Sequence, residues 1–299
     1  MGIKSPADIW NLFKELSNLK KMIPEIKPVF EHFDKSENPK ESLEKVLQAT
    51  KRNPVIDDLL KVSQTYNMIK RAEKNAEERG WNYACLESIK EMGVKVDLIG
   101  EKNVPDKGPT LYVSNHPYGL LDSAVLIGSL GSILKEKGKK IKVIAMNQLK
   151  FIKGIEEILH FVHATTSSSN LSSLRDSLRY IEVGGNLAIY PSGTMSGPKL
   201  KEYPWENGIA PFISHSSYIV PMWFSGPDHE KIYNFLGRHK KTEKLRRIFS
   251  FREAWNKQGK TIVLNIGKPI SSEELLKIKD GKERIHYLRE CAEDLKIKV

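Results

Sequence analysis

Cysteine and long apolar stretches are scarce in this 299-residue sequence. Only two cysteines occur, Cys85 and Cys291, and neither has a neighbouring histidine that would suggest a nucleophile. We predict that both are small core residues and that no disulfide braces the fold. No stretch approaches the roughly eighteen uncharged apolar residues of a membrane span, and the N-terminus lacks the apolar core of a signal peptide. We therefore expect an intracellular protein without a spanning helix.

Common catalytic signatures are also missing. A glycine-containing segment lies at 191–199, but it holds neither the Gly-x4-Gly-Lys-Ser/Thr of a P-loop nor the Gly-x-Ser-x-Gly of a nucleophile elbow. No metal-ligand spacing is present, and we interpret His160 and His163, three apart in an apolar context, as structural. These absences argue against a P-loop nucleotide site, a nucleophile-elbow hydrolase and a metal centre.

Acidic residues are outnumbered, since 37 Asp and Glu face 48 Lys and Arg for a formal net charge of +11. Much of the excess lies in residues 231–260, the basic segment, where ten Lys or Arg accompany only Glu243 and Glu253. Such a segment suits phospholipid headgroups, an acidic carrier protein or nucleic acid. The alternative is a solvated helix face with no partner. Because no nucleic-acid-reading motif occurs, we predict no nucleic-acid partner.

The chain divides by pattern into two regions. Residues 1–80 look helical: an apolar stripe from Ile9 to Ile23 predicts an amphipathic helix, which either packs on its own domain or lies on a bilayer. A second helical pattern runs from Pro54 to Arg79 and stops at Gly80. Residues 81–299 alternate short strands and helices, which predicts an α/β fold. The strands are predicted at 94–98, 110–114, 141–146, 159–163, 186–190, 218–224 and 261–266. Among the helices, one is predicted to open at 147–150 and another to span about 207–216.

The stretch from Thr110 to Ser123 carries the sharpest chemical signal. A buried strand ends at Asn115, His116 follows in a loop that contains Gly119, and Asp122 falls in the first turn of the next helix. An imidazole six residues before a fixed carboxylate is a plausible general base with its orienting partner. The alternative is a loop histidine beside an ordinary helix-start carboxylate, and the spacing alone favours that alternative.

Several short blocks occur in a fixed order around this stretch. They are Asn115-His-Pro-Tyr-Gly-Leu-Leu-Asp122, Asn147-Gln-Leu-Lys150 and Tyr190-Pro-Ser-Gly-Thr-Met-Ser196. Together they resemble the glycerolipid acyltransferase family typified by lysophosphatidate acyltransferase, over about residues 93–270. The five residues between His116 and Asp122 are similar to the branch of ornithine-lipid acyltransferases and hemolysin-like proteins, whereas the main family has four. The resemblance implies a mixed, mostly parallel central sheet flanked by helices, with the N-terminal helical region as an appendage.

The resemblance also implies a reaction: acyl transfer from acyl carrier protein or acyl-CoA to a hydroxyl or amine of a lipid precursor. His116 would be the general base and Asp122 its partner, with no metal and no cofactor beyond the acyl donor. The expected location is the cytoplasmic face of the membrane, held peripherally by the basic segment, in lipid metabolism. The residues expected to bind substrate are Asn115, Tyr118, Gly119, Lys150, Pro191, Ser192, Gly193, Thr194 and Lys199.

Two positions depart from the family pattern. Ser192 stands where the motif has Glu, and Met195 stands where it has the Arg that is thought to bind the acceptor's phosphate. A thioether cannot reproduce the bidentate hold of a guanidinium on phosphate. The departure predicts an acceptor that needs no such clamp, unless Lys150, Lys199 or Lys201 supplies the charge. It also leaves open a catalytically weak or inactive lipid-binding relative of the same fold.

Overall fold

The computed structural model describes residues 39–162, 170–237 and 249–298, with the isolated positions 24 and 246. The predicted amphipathic helix before residue 24, His163 and part of the basic segment lie outside the described residues. The strands are β1 (Lys95–Ile99), β2 (Thr110–Ser114), β3 (Ile141–Met146), β4 (Leu159–Val162), β5 (Asn186–Ile189), β6 (Tyr218–Ser225), β7 (Thr261–Ile266) and β8 (Ile270–Ser271).

These strands form one mixed sheet in the order β1-β7-β6-β2-β5-β3-β4, with the short β8 paired to β6. Strand β2 lies between two parallel neighbours, and Leu111 is in register with Leu187 of β5 and Ile219 of β6. Strand β6 runs antiparallel to β7 and β8, while the other pairs are parallel. The predicted fold class, a mostly parallel sheet flanked by helices, is confirmed.

Helices cover both faces of the sheet. They are α1 (Pro39–Lys51), α2 (Pro54–Leu60), α3 (Val62–Arg79), α4 (Trp81–Glu91), α5 (Leu120–Val125), α6 (Gly131–Glu136), α7 (Asn170–Glu182), α8 (Ala210–His215), α9 (Lys231–Leu236), α10 (Ser250–Trp255), α11 (Ser272–Leu276) and α12 (Gly281–Glu293). Successive side chains of a strand point to opposite faces. Tyr112 of β2 therefore packs with α3–α6, whereas Leu111 and Val113 pack with α7, α8, α11 and α12. Burial on both faces explains why β2 reads as a continuous apolar run.

The N-terminal helices pack directly on the α/β region. Met68 and Ala72 of α3 share one core with Trp81 of α4, across the predicted boundary at residue 80. Trp255 Nε1 also donates to Thr65 Oγ1 over 3.0 Å. Helices α1 and α2 form a second cluster with α9. The division at residue 80 stays a prediction.

Some local expectations differ from the structure. Residues 147–150 were expected to open an α-helix but form a short 3₁₀ segment, Asn147–Phe151. The predicted helix at 207–216 is split into a 3₁₀ turn, Asn207–Ile209, and α8, since Pro211 at the start of α8 has no N–H to bond back to the preceding turn. Cys85 is a buried free thiol and Cys291 a half-buried one, and burial raises the pKa of Cys85 to about 12. Within the described ranges, no helix has the length and apolarity to cross a bilayer.

Candidate active site

The carboxyl ends of β2, β5 and β6 meet at one edge of the sheet, where two loops face each other. The His116 loop (115–119) follows β2, and the 191–197 loop follows β5. Ser196 N donates to His116 O over 2.7 Å, which joins the two loops. Asn115 ties its loop to β6, because its side chain accepts from Phe224 N (2.7 Å) and donates to Phe224 O (3.0 Å). The ends of three strands are thus held together at the predicted site.

His116 and Asp122 form a dyad. His116 Nδ1 lies 2.9 Å from Asp122 Oδ2, which also accepts the backbone N–H of Tyr118 over 2.8 Å. The Asp122 carboxylate is fully buried, whereas the His116 side chain is 18% exposed. Burial raises the pKa of Asp122, and the contacts with His116 and Tyr118 N–H act in the opposite direction. In the described part of the chain, His116 Nε2 has no hydrogen-bond partner, so this nitrogen is available to receive a proton.

Tyr190 fixes the plane of the imidazole. The two rings stack with centroids 4.0 Å apart and an interplanar angle of 14°. The phenol oxygen lies 3.4 Å from Ser123 Oγ, and burial raises the pKa of Tyr190, so the phenol stays neutral. His116 is thereby held by a carboxylate at one edge and an aromatic face on one side.

The 191–197 loop is held by its own contacts and by Glu202. Gly193 has a φ of +63°, and its N–H donates to Tyr190 O over 2.9 Å. Ser192 Oγ donates to Thr194 O over 2.9 Å. Glu202 is buried and accepts from Ser196 Oγ (2.6 Å) and Trp205 Nε1 (3.1 Å). Burial raises the pKa of Glu202, and the hydrogen bonds from these partners lower it.

The other residues predicted to bind substrate take different positions. Tyr118 is buried with its hydroxyl donating to Pro227 O over 3.0 Å. Gly119 has a φ of +62°, and a Cβ there would lie 2.9 Å from Met195 Sδ, so the two loops need glycine at this contact. Lys150 and Lys199 are exposed, Pro191 is buried, and the Lys150 ammonium lies 5.4 Å from the centre of the Phe161 ring.

An apolar cavity is lined in part by the sequence neighbours of Asp122 on α5. Leu120, Leu121 and Ala124 of α5 line it next to Asp122, together with apolar side chains of α3, α4 and α10. The three hydroxyls of Ser and Thr in the lining already have partners. Thr65 Oγ1 donates to Lys61 O (2.7 Å), Ser88 Oγ donates to Ala84 O (2.9 Å), and Ser123 Oγ lies 3.4 Å from the Tyr190 hydroxyl. Such a lining suits an alkyl chain rather than a polar ligand.

The chain is similar to known acyltransferases. A family model described as Acyltransferase matches residues 95–225. The chain is 24% identical over 235 residues to a lyso-glycine lipid O-acyltransferase of Phocaeicola vulgatus, covering 75% of this chain and 80% of that protein. A lyso-glycine lipid O-acyltransferase of Bacteroides thetaiotaomicron is 23% identical over 218 residues, covering 69% and 76%. These matches support the resemblance to the glycerolipid acyltransferase family that the sequence predicted, and the protein is an acyltransferase.

A solved structure also aligns with this acyltransferase. It is the crystal structure of the 1-acyl-sn-glycerophosphate (LPA) acyltransferase PlsC from Thermotoga maritima, at a TM-score of 0.48 and 15% identity. The alignment covers 96% of this chain and 95% of that one.

Behind the two loops the acyltransferase has a buried ionic cluster that the sequence did not reveal. Glu253 Oε1 lies 3.1 Å from His229 Nδ1 and also accepts from Lys257 Nζ, and all three side chains are fully buried. Burial acts to raise the pKa of Glu253, but His229 and Lys257 bring it below its ordinary value. The Lys257 ammonium lies 5.1 Å from the centre of the Tyr118 ring, so this cluster contacts the His116 loop through Tyr118. Among the described residues, no group of His, Cys, Asp and Glu is arranged to hold a metal ion.

Proposed function

We propose that this acyltransferase moves a fatty acyl group from a thioester to the hydroxyl of a lysolipid. The thioester is either an acylated acyl carrier protein or acyl-CoA. The observation that carries the proposal is the His116–Asp122 dyad, whose Nε2 has no partner among the described residues. An apolar cavity lined by the neighbouring residues of α5 adds support. The sequence left a hydroxyl and an amine open as acceptors. Both named relatives are O-acyltransferases of lyso-glycine lipids, which favours a hydroxyl.

In the proposed reaction His116 is the general base. Its Nε2 takes the proton of the acceptor hydroxyl as the hydroxyl oxygen attacks the thioester carbonyl. The carbon–oxygen bond forms, the carbon–sulfur bond breaks, and the proton passes from the imidazolium to the departing thiolate. Asp122 keeps the Nδ1–H tautomer and stabilises the imidazolium through the 2.9 Å contact. Stacking on Tyr190 prevents the ring from turning between the two proton transfers.

The developing oxyanion needs a donor near the 191–197 loop. Gly193 N–H is already bonded to Tyr190 O, so it is not available. Thr194 N–H has no partner among the described residues, and we assign the contact with the oxyanion to it. We also propose that the alkyl chain of the donor lies in the apolar cavity, because the cavity begins at the α5 residues that flank Asp122.

The basic segment remains proposed as the part that docks on an anionic membrane or an acidic carrier protein. Its net positive charge is the support for this role, apart from Arg246 and Lys257, which are buried. In the same proposal the enzyme works peripherally at the cytoplasmic face of the membrane.

The second candidate function is lipid binding without catalysis, suggested by Ser192 and Met195 at the motif positions. An intact dyad argues against it, since a binding protein has no need of an imidazole that is fixed by both a carboxylate and a stacked ring. Labelled acyl-CoA and acyl carrier protein, offered with lysolipids to wild type and to His116→Ala, decide between the two. Loss of a general base costs about 10²- to 10⁴-fold. Transfer by the variant at the wild-type rate would remove His116 from the mechanism.

A further inference from the structure

Arg246 is a buried cation without a counter-ion in the described structure. The residue is 4% exposed, and its Nη1 donates to Ser196 O over 2.9 Å. No carboxylate among the described residues pairs with it, and its other N–H groups have no hydrogen-bond partner there. Buried arginines are almost always paired with an anion, because an unpaired buried charge is costly.

The other buried or half-buried cations nearby do have anionic partners. Lys257 and His229 share the carboxylate of Glu253. Arg252 is paired with Glu230 through two hydrogen bonds, of which the one from Nε to Oε2 is 2.7 Å long. The Arg246 guanidinium instead lies 5.1 Å from the centre of the Tyr233 ring. An aromatic face compensates a buried cation only in part. Unlike these neighbouring cations, Arg246 therefore has no anionic partner among the described residues.

The position of Arg246 places this charge at the active-site loop. The carbonyl that it contacts belongs to Ser196, whose N–H donates to His116 O. Tyr233, which packs on the guanidinium, also directs its hydroxyl at Met195 Sδ over 3.5 Å. Arg246 therefore lies beside Met195, the position where the family motif has arginine, although it comes from a different part of the chain.

We infer that Arg246 binds the anionic headgroup of the acceptor lipid. The inference rests on the proposed function, and it assigns the headgroup to one side chain. A planar guanidinium offers five N–H donors, of which one is used by Ser196 O, so a bidentate pair with a carboxylate or phosphate remains open.

Charge balance selects a carboxylate over a phosphate. One guanidinium is neutralised by one carboxylate, whereas a phosphate monoester carries about −1.5 to −2 charges at neutral pH and would bring excess negative charge into a buried site. The expected acceptor is a lysolipid with a carboxylate headgroup and a free hydroxyl.

A binding experiment tests the inference without catalysis. N-lauroylglycine, its neutral methyl ester and 1-lauroyl-lysophosphatidate are titrated by calorimetry into the full chain, below their micelle concentrations. Wild type should bind the acid about 10- to 100-fold more tightly than the ester, the range for a hydrogen bond to a charged group. Arg246→Met should bind acid and ester equally, and Arg246→Lys should lie between. Arg289→Met, which removes a guanidinium paired with Glu293 on α12, should behave as wild type.

Each other result contradicts a defined part of the inference. An acid preference that survives in Arg246→Met excludes Arg246 as the headgroup ligand. If the wild-type protein binds acid and ester equally, there is no anion site. This result does not depend on whether the variants fold. Tighter, Arg246-dependent binding of lysophosphatidate excludes the carboxylate assignment. If acyl transfer fails with every donor while the Arg246-dependent preference is measured, the proposed function is wrong and the headgroup site stands.

Discussion

Replacing Asp122 with asparagine separates two effects of the dyad carboxylate, its charge and its geometry. Asp122 Oδ2 accepts both His116 Nδ1–H and Tyr118 N–H. The Tyr118 donor should orient the new amide, because an NH₂ group in the Oδ2 position would face a backbone N–H. The amide oxygen then still accepts from Nδ1–H, so the correct tautomer is retained and only the charge is lost.

The magnitude follows from that geometry. Charge-assisted hydrogen bonds contribute about 1.5–3 kcal/mol and neutral ones about 1 kcal/mol, so the variant should lose roughly 0.5–2 kcal/mol of transition-state stabilisation, or about 2- to 30-fold in kcat. This is less than the loss expected for His116→Ala. Continuous detection of the released thiol with a chromogenic disulfide gives kcat and KM for both variants. If Asp122→Asn loses as much kcat as His116→Ala, the correct tautomer is not retained. If kcat is unchanged, Asp122 does not have the proposed role.

The same variant should gain stability at neutral pH. Burial raises the pKa of Asp122 in the folded state above its ordinary value. Between the pKa of the unfolded chain and that of the folded protein, the folded protein therefore binds more protons, and its stability falls as pH rises through this range. A neutral amide removes this penalty. Chemical denaturation should show a gain in unfolding free energy near pH 7 that shrinks toward about pH 4. Asp97→Asn, on the exposed edge of β1, serves as the matched control and should change neither activity nor stability. A pH-independent loss of stability in Asp122→Asn would contradict the argument.

Two further predictions concern the acyl chain and the membrane. Ala124→Phe places a ring in the apolar cavity, so the kcat/KM ratio of long over short acyl donors should fall about 10-fold or more while circular dichroism stays native; an unchanged ratio means that the chain lies elsewhere. Co-sedimentation with anionic vesicles should weaken as salt rises above physiological strength, because a screening length of about 8 Å weakens surface charge attraction. Binding that depends on neither salt nor lipid charge would contradict the proposed membrane role of the basic segment.

Much of the fold could be predicted because it depends on local pattern. Strands β2, β3 and β7 begin and end at the predicted residues, since each is an apolar run bounded by glycine, proline or polar residues. The two-residue β8 could not be predicted, because its pairing with β6 depends on a neighbour more than forty residues away. Likewise, 3₁₀ geometry at 147–151 leaves no periodicity that differs from the start of an α-helix.

The site residues that are close in sequence were predicted, whereas the contacts that distant segments make with them were missed. His116 and Asp122 lie in one loop and the first turn of the next helix, so their spacing alone suggested the contact. Tyr190 stood in a recognised motif, yet nothing in the sequence indicated that its ring stacks on His116. Glu202, His229 and Arg246 reach the 191–197 loop from separate segments, and such long-range contacts have no signature in a single sequence.

These distant contacts change the meaning of the two departures from the family motif. Ser192 and Met195 are neutral where the motif has an acid and a base. From the sequence this predicted an acceptor that needs no phosphate clamp, and it left open a catalytically weak or inactive relative. In the structure a buried carboxylate, Glu202, bonds to the same loop, and a buried guanidinium, Arg246, contacts its Ser196 carbonyl. The motif positions have lost their charges, but the site has not. A test of catalytic competence in this chain therefore belongs at Glu202 and Arg246 as much as at the motif positions themselves.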